Sequence, residues 1–560
     1  MVTPTPRQIE IRDHPDLDLR VIAPAGCGKT EALALRIQGL LNRGVVVAPR
    51  RILVTTFSNR ARDNIRERLG SYLTPAQLRD RVTVSNFHGL SARIFRAHAS
   101  VIGLDPEMVL PDGDWVGDQL RARRADFNEQ GRVQEILRSI KQAAVDDIEV
   151  EQQLAARRNQ NAIEIEQLRL SENRLTYDDL PRLAELILQN DGVAELYREH
   201  FGAVVVDEFQ DLTPQQLRIV SRIGYKKTTY AGDLAQGIYG FAGARPTEVD
   251  RAVKAECSTE IAFNESHRSS PAVLDVVNAL APLTGGQALV AADPWSWPSG
   301  GLAGLVRFTD ADSEANWVVA FAKSVLSRAP GQRIGVVSRI ASRRRFVDAA
   351  VASSDLPSFR WDDGVMDTDA AKLMKSLLQR LDMSAFNLAA NQLEFLRAAA
   401  DLDGIQDPST RQALGEALTW CLDLLAQGES TDAIRKRIKV GDQTTLLTAA
   451  GVHLLTGHVG KGQQFDWVWV IGAEHGNIPF FKAESDEEVA EEARVLSVMA
   501  SRARHGVVVS YADVVPTLAG QPRSVAPSQF LSALNGLTLL DMDGIKAWFA
   551  VADWTAIAAR

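Results

Sequence analysis

The sequence predicts an α/β protein built on buried parallel sheets, and three observations carry that expectation. Short apolar runs rich in β-branched residues recur along the chain. The runs are continuous rather than alternating, as in strands covered on both faces. Most are followed by a polar turn and then a stretch of helical period. Sheets of this kind bind ligands at the C-terminal ends of their strands.

Taken in order, Val21-Ile22 end a first strand. They are followed by RILVTTFS (51–58), VTVSNFH (82–88), AVVVDEF (203–209), TTYAGD (228–233), RIGVVS (333–338), LLTG (454–457) and WVWVIGA (467–473). Two stretches break the alternation. Residues 99–179 lack buried strands and include the charged, Gln-rich EQQLAARRNQNAIEIEQLRL, expected as exposed helices. Residues 366–444 are helical by period, with MKSLLQRLDMSAFNLAANQLEFLRAAADL the clearest segment. Both are expected as helical insertions. The chain then divides into a first lobe (1–98 and 180–275), its insertion (99–179), a second lobe (276–365 and 445–560) and a short second insertion (366–444). On patterning alone, one large α/β enzyme with helical decoration is the alternative.

The bulk properties narrow the class. A chain of 560 residues implies more than one domain. Its 45% apolar and 24% charged content is that of an ordinary globular protein. There is no apolar run of about 18 residues, so no membrane span is expected. The N-terminal MVTPTPRQIEIRDHPD does not resemble a signal peptide, and a cytoplasmic, monomer-capable protein is expected. Cys27, Cys257 and Cys421 are too few and scattered for a disulfide framework or a metal site. The net charge of −9 lends nucleic-acid binding no support, yet 62 Lys and Arg residues suffice to make a cleft basic.

VIAPAGCGKT (21–30) looks like a phosphate-gripping loop that lacks its usual first glycine, with Ala23 in that place and Pro24 after it. The loop Ala23, Pro24, Ala25, Gly26, Cys27 and Gly28 would surround phosphate with backbone groups. Lys29 would add a charge for the β- and γ-phosphates, and the Thr30 hydroxyl a ligand for Mg²⁺. A glycine-rich turn before a helix with a surface lysine is the plainer alternative. Downstream, AVVVDEFQD ends an apolar strand with Asp207 and Glu208. One carboxylate there can hold Mg²⁺ and its neighbour can orient or deprotonate water, although such pairs also occur as solvated turns.

With these two signals in place, the chain resembles the UvrD/Rep-like family of superfamily 1 DNA helicases through an ordered series of motifs covering most of its length. Gln8 matches the family's adenine-reading glutamine, and Ala23 is what the family's AGAGSGKT loop carries, leaving only Pro24 and Cys27 unusual. LVTTFSNRARDNIRERL is similar to the TFTNKAA segment (Thr56, Phe57, Asn59), and VSNFHGLSARIF to the T-F-H-S segment (Phe87, His88). LTYDDL (175–180) is similar to a stretch that precedes the acidic motif, and DEFQD to DEYQD (Asp207, Glu208, Gln210, Asp211). AGDLAQGIYGFAGA resembles GDxxQSIYxFRGA, with Gln236 at the γ-phosphate sensor and Tyr239 and Phe241 where aromatics meet bases. Ala242 replaces the arginine of that motif.

FNESHRSSPAVLDVVNAL resembles the NYRS segment, with Arg268 at the γ-phosphate and His267 in place of an adenine-stacking tyrosine. LLTGHVGKGQQFDWVWVIG resembles TxHxxKGLEFDxVxxxG through Thr456, His458, Lys461, Gly462, Phe465 and Asp466, with Gln464 replacing a ribose-binding glutamate. EEARVLSVMASRARHGVVVS resembles EERRLxYVAxTRA, which puts Arg502 on the arginine finger, with Ser497 and Ser501 as departures.

The resemblance implies two RecA-like P-loop lobes with parallel sheets, each carrying a helical insertion. It implies Lys29, Asp207, Glu208, Gln236, Arg268 and Arg502 as catalytic residues. ATP would be held by Gln8, the loop from Ala23 to Thr30, His267, Arg268, Gln464 and Arg502, and Mg²⁺ by Thr30 and Asp207. DNA would be met by Thr56, Phe57, Asn59, Phe87, His88, Tyr239, Phe241 and His458. The implied activity is ATP-dependent unwinding with 3′ to 5′ movement on single-stranded or tailed duplex DNA. A second reading, motivated by Ala242 and the short second insertion, is a single-strand-stimulated ATPase that unwinds weakly, as a motor or sensor beside a nuclease in DNA repair or phage defence. A third is a degenerate motor kept as a DNA-binding scaffold.

Other features have plainer readings. Arg343-Arg344-Arg345 opens a helix that either lines a phosphate path or forms a solvated face, and Trp295 and Trp297 read as a packed loop. Cys27 is a candidate oxidation site without a partner thiol. No nuclease-type carboxylate cluster is evident.

Overall fold

A computed structural model describes residues 3–57, 59–111, 114–361, 364–366, 368–389, 391–402, 405, 408–426, 428–440, 448–459, 461–517 and 520–560. Two six-stranded, all-parallel sheets form its frame. The first contains β1 (Leu19–Ile22), β2 (Arg51–Thr56), β3 (Val82–Asn86), β4 (Phe201–Asp207), β5 (Thr228–Gly232) and β6 (Thr259–Ala262), in the order β3-β2-β4-β5-β1-β6. A short pair, β7 (Glu265–Ser266) with β8 (Val290–Ala291), follows. The second sheet contains β9 (Leu302–Asp310), β10 (Arg333–Ser338), β11 (Ser358–Arg360), β14 (Gly451–Thr456), β15 (Phe465–Val470) and β16 (Ala503–Val514), in the order β11-β14-β10-β15-β16-β9. Between β11 and β14, β12 (Gly364–Met366) pairs with β13 (Ile438–Val440). The chain is thus an α/β protein of two RecA-like lobes.

The continuous apolar runs follow from burial on both faces. Along β4, Val204 and Val206 join the core on one side of the sheet, and Ala203 and Val205 the core on the other. Along β15, Val468 and Val470 face one core while Trp467 and Trp469 face the opposite one. Each fully buried valine contributes about 1.5–3 kcal/mol relative to exposure, so neither face tolerates polar residues. Every strand expected from the sequence is present. β6, β9, β11 and β16 of the two sheets, and the short pairs β7-β8 and β12-β13, lie outside the expected runs: β6 is a short edge strand carrying Glu260, β9 is interrupted by Gly304 and Arg307, and β11 has only three residues.

Strand order positions the site. β4, β5 and β1 are neighbours, in a register that pairs Asp207 with Ala231 and Ile22 with Gly232. Their C-terminal ends therefore bring together the loop after Ile22, the Asp207-Glu208 pair and the segment after Gly232. In the second lobe, the helix Asp486–Ala500 delivers Arg502 to the start of β16, beside the loop that follows β14.

The helices between β3 and β4 enclose a small core that includes Leu120, Val133, Val150, Leu154 and Ile165. The Gln-rich stretch expected as exposed helices therefore buries one face. The helices between β12 and β13 form a larger apolar core around Leu377, Leu396, Leu414 and Leu418. Among the described residues no helix is long and apolar enough to cross a membrane.

Candidate nucleotide site and nucleic-acid face

The Ala23 N–H bonds to Gly232 O at 2.9 Å, after which the chain turns through Gly26 (φ +86°) and Gly28 (φ +81°). Both positions require glycine. A Cβ on Gly26 would lie 2.5 Å from Arg268 Cβ, and one on Gly28 would lie 2.7 Å from Gln8 Nε2. Gly28 is the N-cap of the helix Lys29–Asn42 and brings no capping side chain, so the helix N-terminus and its dipole are available to an anion.

The Lys29 ammonium stands 2.9 Å from Asp207 Oδ1 and 2.5 Å from Glu208 Oε1. Glu208 adopts left-handed backbone angles (φ 59°, ψ 53°), a strain that surrounding bonds must hold. Burial pushes its carboxyl up, but Lys29 and Lys461 outweigh this and hold it at about 2. Burial raises the carboxyl of Asp207. A relay of hydrogen bonds then joins strand ends. Gln210 Nε2 donates to Glu208 Oε2 (2.6 Å), Asp233 N donates to Gln210 Oε1 (3.0 Å), and Gln236 Nε2 donates to Asp233 Oδ2 (2.9 Å).

The second lobe closes the site. Arg502, 2% exposed, donates to Gly457 O (2.5 Å) and Val459 O (2.8 Å), and burial lowers its pKa to about 10. Its Nε and that of Arg268 have no acceptor, and neither guanidinium forms an ion pair among the described residues. Burying a cation without a counter-ion is costly, so an anion between the lobes would complete the arrangement. The cleft there measures about 620 Å³ and is lined by Pro24, Ala25, Gly26, Gly28, Lys29, Thr30, Asp207, Glu208, Gln236, His267 and Arg268 from one side. Lys461, Gln464, Ser501 and Arg502 line it from the other. Such a volume suits a nucleotide. The capless helix end and the unpaired guanidiniums fit a polyphosphate, and Thr30 and Asp207 offer oxygen donors that suit Mg²⁺.

Two expectations about the loop need correction, the place of Gln8 and the reactivity of Cys27. Gln8 does not line the cleft: its Oε1 accepts from Thr5 N at 2.9 Å and its Nε2 donates to Gly28 O at 3.3 Å, so it braces the loop from behind. The Cys27 side chain is 1% exposed and points into the core, with its thiol pushed up to about 12 by burial, so it is not an oxidation-prone group. Conversely, Lys461 carries more than its motif match suggested. Its Nζ bridges the lobes to Asp211 at 2.7 and 2.8 Å and stands 4.7 Å over the Tyr239 ring. That partner lies 250 residues away, beyond any local pattern.

Of the residues expected to meet DNA, four form a row. Phe57 stacks on Tyr239 (4.9 Å), Tyr239 meets Phe241 (5.8 Å), and Phe241 meets His458 of the second lobe edge-on (5.2 Å). Phe57 and Tyr239 also line the nucleotide cleft, whereas Phe241 is 62% exposed. His88 sits edge-on to Tyr177 at 5.4 Å. Phe87 and Thr56 are corrections, since both are buried (2% and 0% exposed) and present no face to a base. Phe87 shares its helix face with Leu90, Ser91, Ile94 and Phe95, a core spacing readable from the sequence. The Asn59 side chain lies outside the described residues.

Arg343 and Arg344 neither line a phosphate path nor face solvent. Both are buried, Arg343 against Glu314 (2.6 Å) and Glu474 (2.7 Å) and Arg344 against Asp348 (2.8 Å). Trp297 is packed as expected, but Trp295 is 96% exposed.

Comparison with known proteins points the same way. Residues 5–255 match the UvrD/REP helicase N-terminal domain and residues 376–514 the UvrD-like helicase C-terminal domain. The chain is 27% identical to the ATP-dependent DNA helicase UvrD2 of Mycobacterium tuberculosis, across 93% of this chain and 80% of that protein. It is 23% identical to DNA helicase II of Escherichia coli, across 94% of this chain and 87% of that one. It is 29% identical to the ATP-dependent DNA helicase PcrA of Leuconostoc citreum over a shorter stretch, 49% of this chain and 38% of that protein. With the domain matches falling on the lobes that build the cleft, this chain belongs to the UvrD/Rep-like helicase family.

Proposed function

We propose that the chain is an ATP-dependent DNA helicase that moves 3′ to 5′ along single-stranded DNA and couples hydrolysis to unwinding. One observation carries the reading. Two guanidiniums without an ion pair among the described residues, the buried Arg502 of the second lobe and the half-buried Arg268 beside the Lys29 loop, flank a cleft from which the aromatic row leads to the surface. Lys29 exchanges its carboxylate partners for phosphate oxygens, which frees Glu208 to orient and deprotonate the attacking water. Arg268 and Arg502 meet the charge that develops in phosphoryl transfer, and Gln236 reports the occupant to Glu208 through Asp233 and Gln210. Thr30 and Asp207 would hold Mg²⁺, which would supply charge neutralisation at the phosphates. Lobe closure is then biased by the nucleotide, and the Phe241 face stacks on bases regardless of sequence, at about 1–3 kcal/mol per base. The polarity rests on the family resemblance.

ATPase and strand displacement measured together on 3′-tailed, 5′-tailed and blunt duplexes test this. Displacement restricted to the 3′-tailed substrate is expected. Lys29→Ala and Glu208→Gln should each remain folded and lose about 10²–10⁴-fold in kcat, and wild-type turnover in either would refute the site. Ala242 favours a second reading, a single-strand-stimulated motor that unwinds weakly. Stimulated hydrolysis without displacement on any substrate would select it.

A further inference from the structure

We infer that Arg138, on the helix Phe127–Lys141, brings to the Phe241 turn the positive charge that Ala242 lacks, and that it contacts a DNA phosphate there. This rests on the reading of Phe241 as a base-stacking residue. The 3-10 turn Gly240–Ala242 carries Phe241 at its centre and a methyl group at Ala242. Across from it, Arg138 Nη1 donates to the carbonyl of Phe241 at 2.6 Å over a sequence separation of 103 residues. Its ion-pair partner is Glu135, 3.4 Å away and 65% exposed, a pair of little strength, and Asp178 acts on it at longer range from the cavity they share. Nε and Nη2 have no bond among the described residues, so most of the guanidinium's five donors remain for a ligand.

The approach of helix and turn is built in. At Gly243 the left-handed φ of +88° favours glycine, and the Cβ position lies 2.3 Å from Gln142 Nε2 and 3.4 Å from Arg138 Cδ, so helix and turn are in direct contact there. Lys141 pins the same helix through Glu166 (2.8 Å) and Asp179 (3.0 Å). Arg138 lines the first of two cavities near the turn, of about 230 Å³, with Trp115, Lys141, Tyr177 and Asp178. The other is a groove of about 830 Å³ that receives Phe241 and Glu135. A strand whose base stacks on Phe241 passes its backbone within reach of this guanidinium, and the planar fork suits a phosphate.

The test is fluorescence titration of the full chain with a short labelled oligothymidylate across a range of salt. Arg138→Ala should weaken binding about tenfold and reduce the salt slope by about 0.7. Arg138→Lys should keep the slope. Arg138→Gln keeps a donor for the Phe241 carbonyl but not the charge, so it should show the reduced slope, and adding Ala242→Arg to it should restore the slope. Glu135→Gln should tighten binding. A wild-type slope in Arg138→Gln would overturn the proposal by showing that Arg138 only props the turn, and so would failure of Ala242→Arg to raise that variant's slope. Absence of salt-dependent DNA binding in the wild-type chain is a different result, and it would remove the reading of Phe241 itself.

Discussion

The two helical regions inserted between strands are held together by different physics. The one between β3 and β4 has a small apolar core but is bolted to its lobe by a buried ion network. Lys141 faces Glu166 and Asp179, Arg169 faces Glu166 (2.7 Å) and Asp147 (2.8 Å), and Arg182 faces Asp179 (2.8 Å) and Asp147 (2.6 Å). Thr176 adds two hydrogen bonds to Asp179, from its N–H (2.9 Å) and its hydroxyl (2.7 Å). The three carboxylates cluster closely enough to bind a cation, yet each already faces Lys or Arg. The region between β12 and β13 instead packs leucines around a larger apolar core, and it is rooted through one pair of three-residue strands.

Hydrophobic contact is non-directional and leaves angles free, whereas multiply bonded buried charges fix them. The region that must aim Arg138 and Gln142 at the Phe241 turn is the one that carries the network. Among the described residues, the other contributes none of those lining the groove beside Phe241.

Asp179→Asn should have the largest effect on this contrast. Removing one carboxylate leaves buried cations short of a partner and should cost about 3–5 kcal/mol. Chemical denaturation reads the loss, and DNA stimulation of ATPase should fall with it as Arg138 loses its bearing. A loss under about 1 kcal/mol would mean that the apolar core holds the region after all. Leu418→Ala, in the second region, should cost about 2–5 kcal/mol by opening a cavity while ATPase at the cleft is retained. A parallel fall in ATPase would erase the distinction.

Acid should separate the regions as well. His453, on β14 at the root of the second region, stacks on Phe359 (5.0 Å), accepts from Trp361 Nε1 at Nδ1 (3.2 Å) and donates from Nε2 to Ala449 O (2.8 Å). Burial, aided by Arg333, lowers its pKa from 6.5 to about 4. The folded state therefore binds fewer protons than the unfolded one, and this stability is complete above 6.5 and lost as pH falls through about 4. His458 and His505, also in the second lobe, shift the same way, to about 4. Asp179 shifts in the same direction but over a more acidic window. Burial would raise its carboxyl, but Lys141, Arg169 and Arg182 hold it well below 3.8, so its contribution survives until the solution is more acidic still. Hydrogen exchange along an acid titration should show the second lobe opening first, and simultaneous loss of both regions would contradict the assignment. The smallest effect belongs to Arg397→Ala. It removes a 4.0 Å contact with Asp118 that links the two regions and should change stability by less than about 1 kcal/mol.

The sequence alone determined what depends on neighbours along the chain. Continuous β-branched runs declare strands buried on both faces. The spacing of Gly26, Gly28 and Lys29 declares a phosphate loop, because left-handed turns and helix N-termini are local properties. Even Phe87 was legible as core, since its helix partners recur at core spacing. Only the tertiary structure decided which side chains meet across the lobes and the insertions. Lys461 finds Asp211, Arg138 finds Phe241, Glu491 takes the Gly240 N–H at 2.9 Å, and Arg343 turns inward to Glu314 and Glu474. Each of these partnerships spans tens to hundreds of residues and is set by the angle at which one packed element lies on another, which no local period encodes.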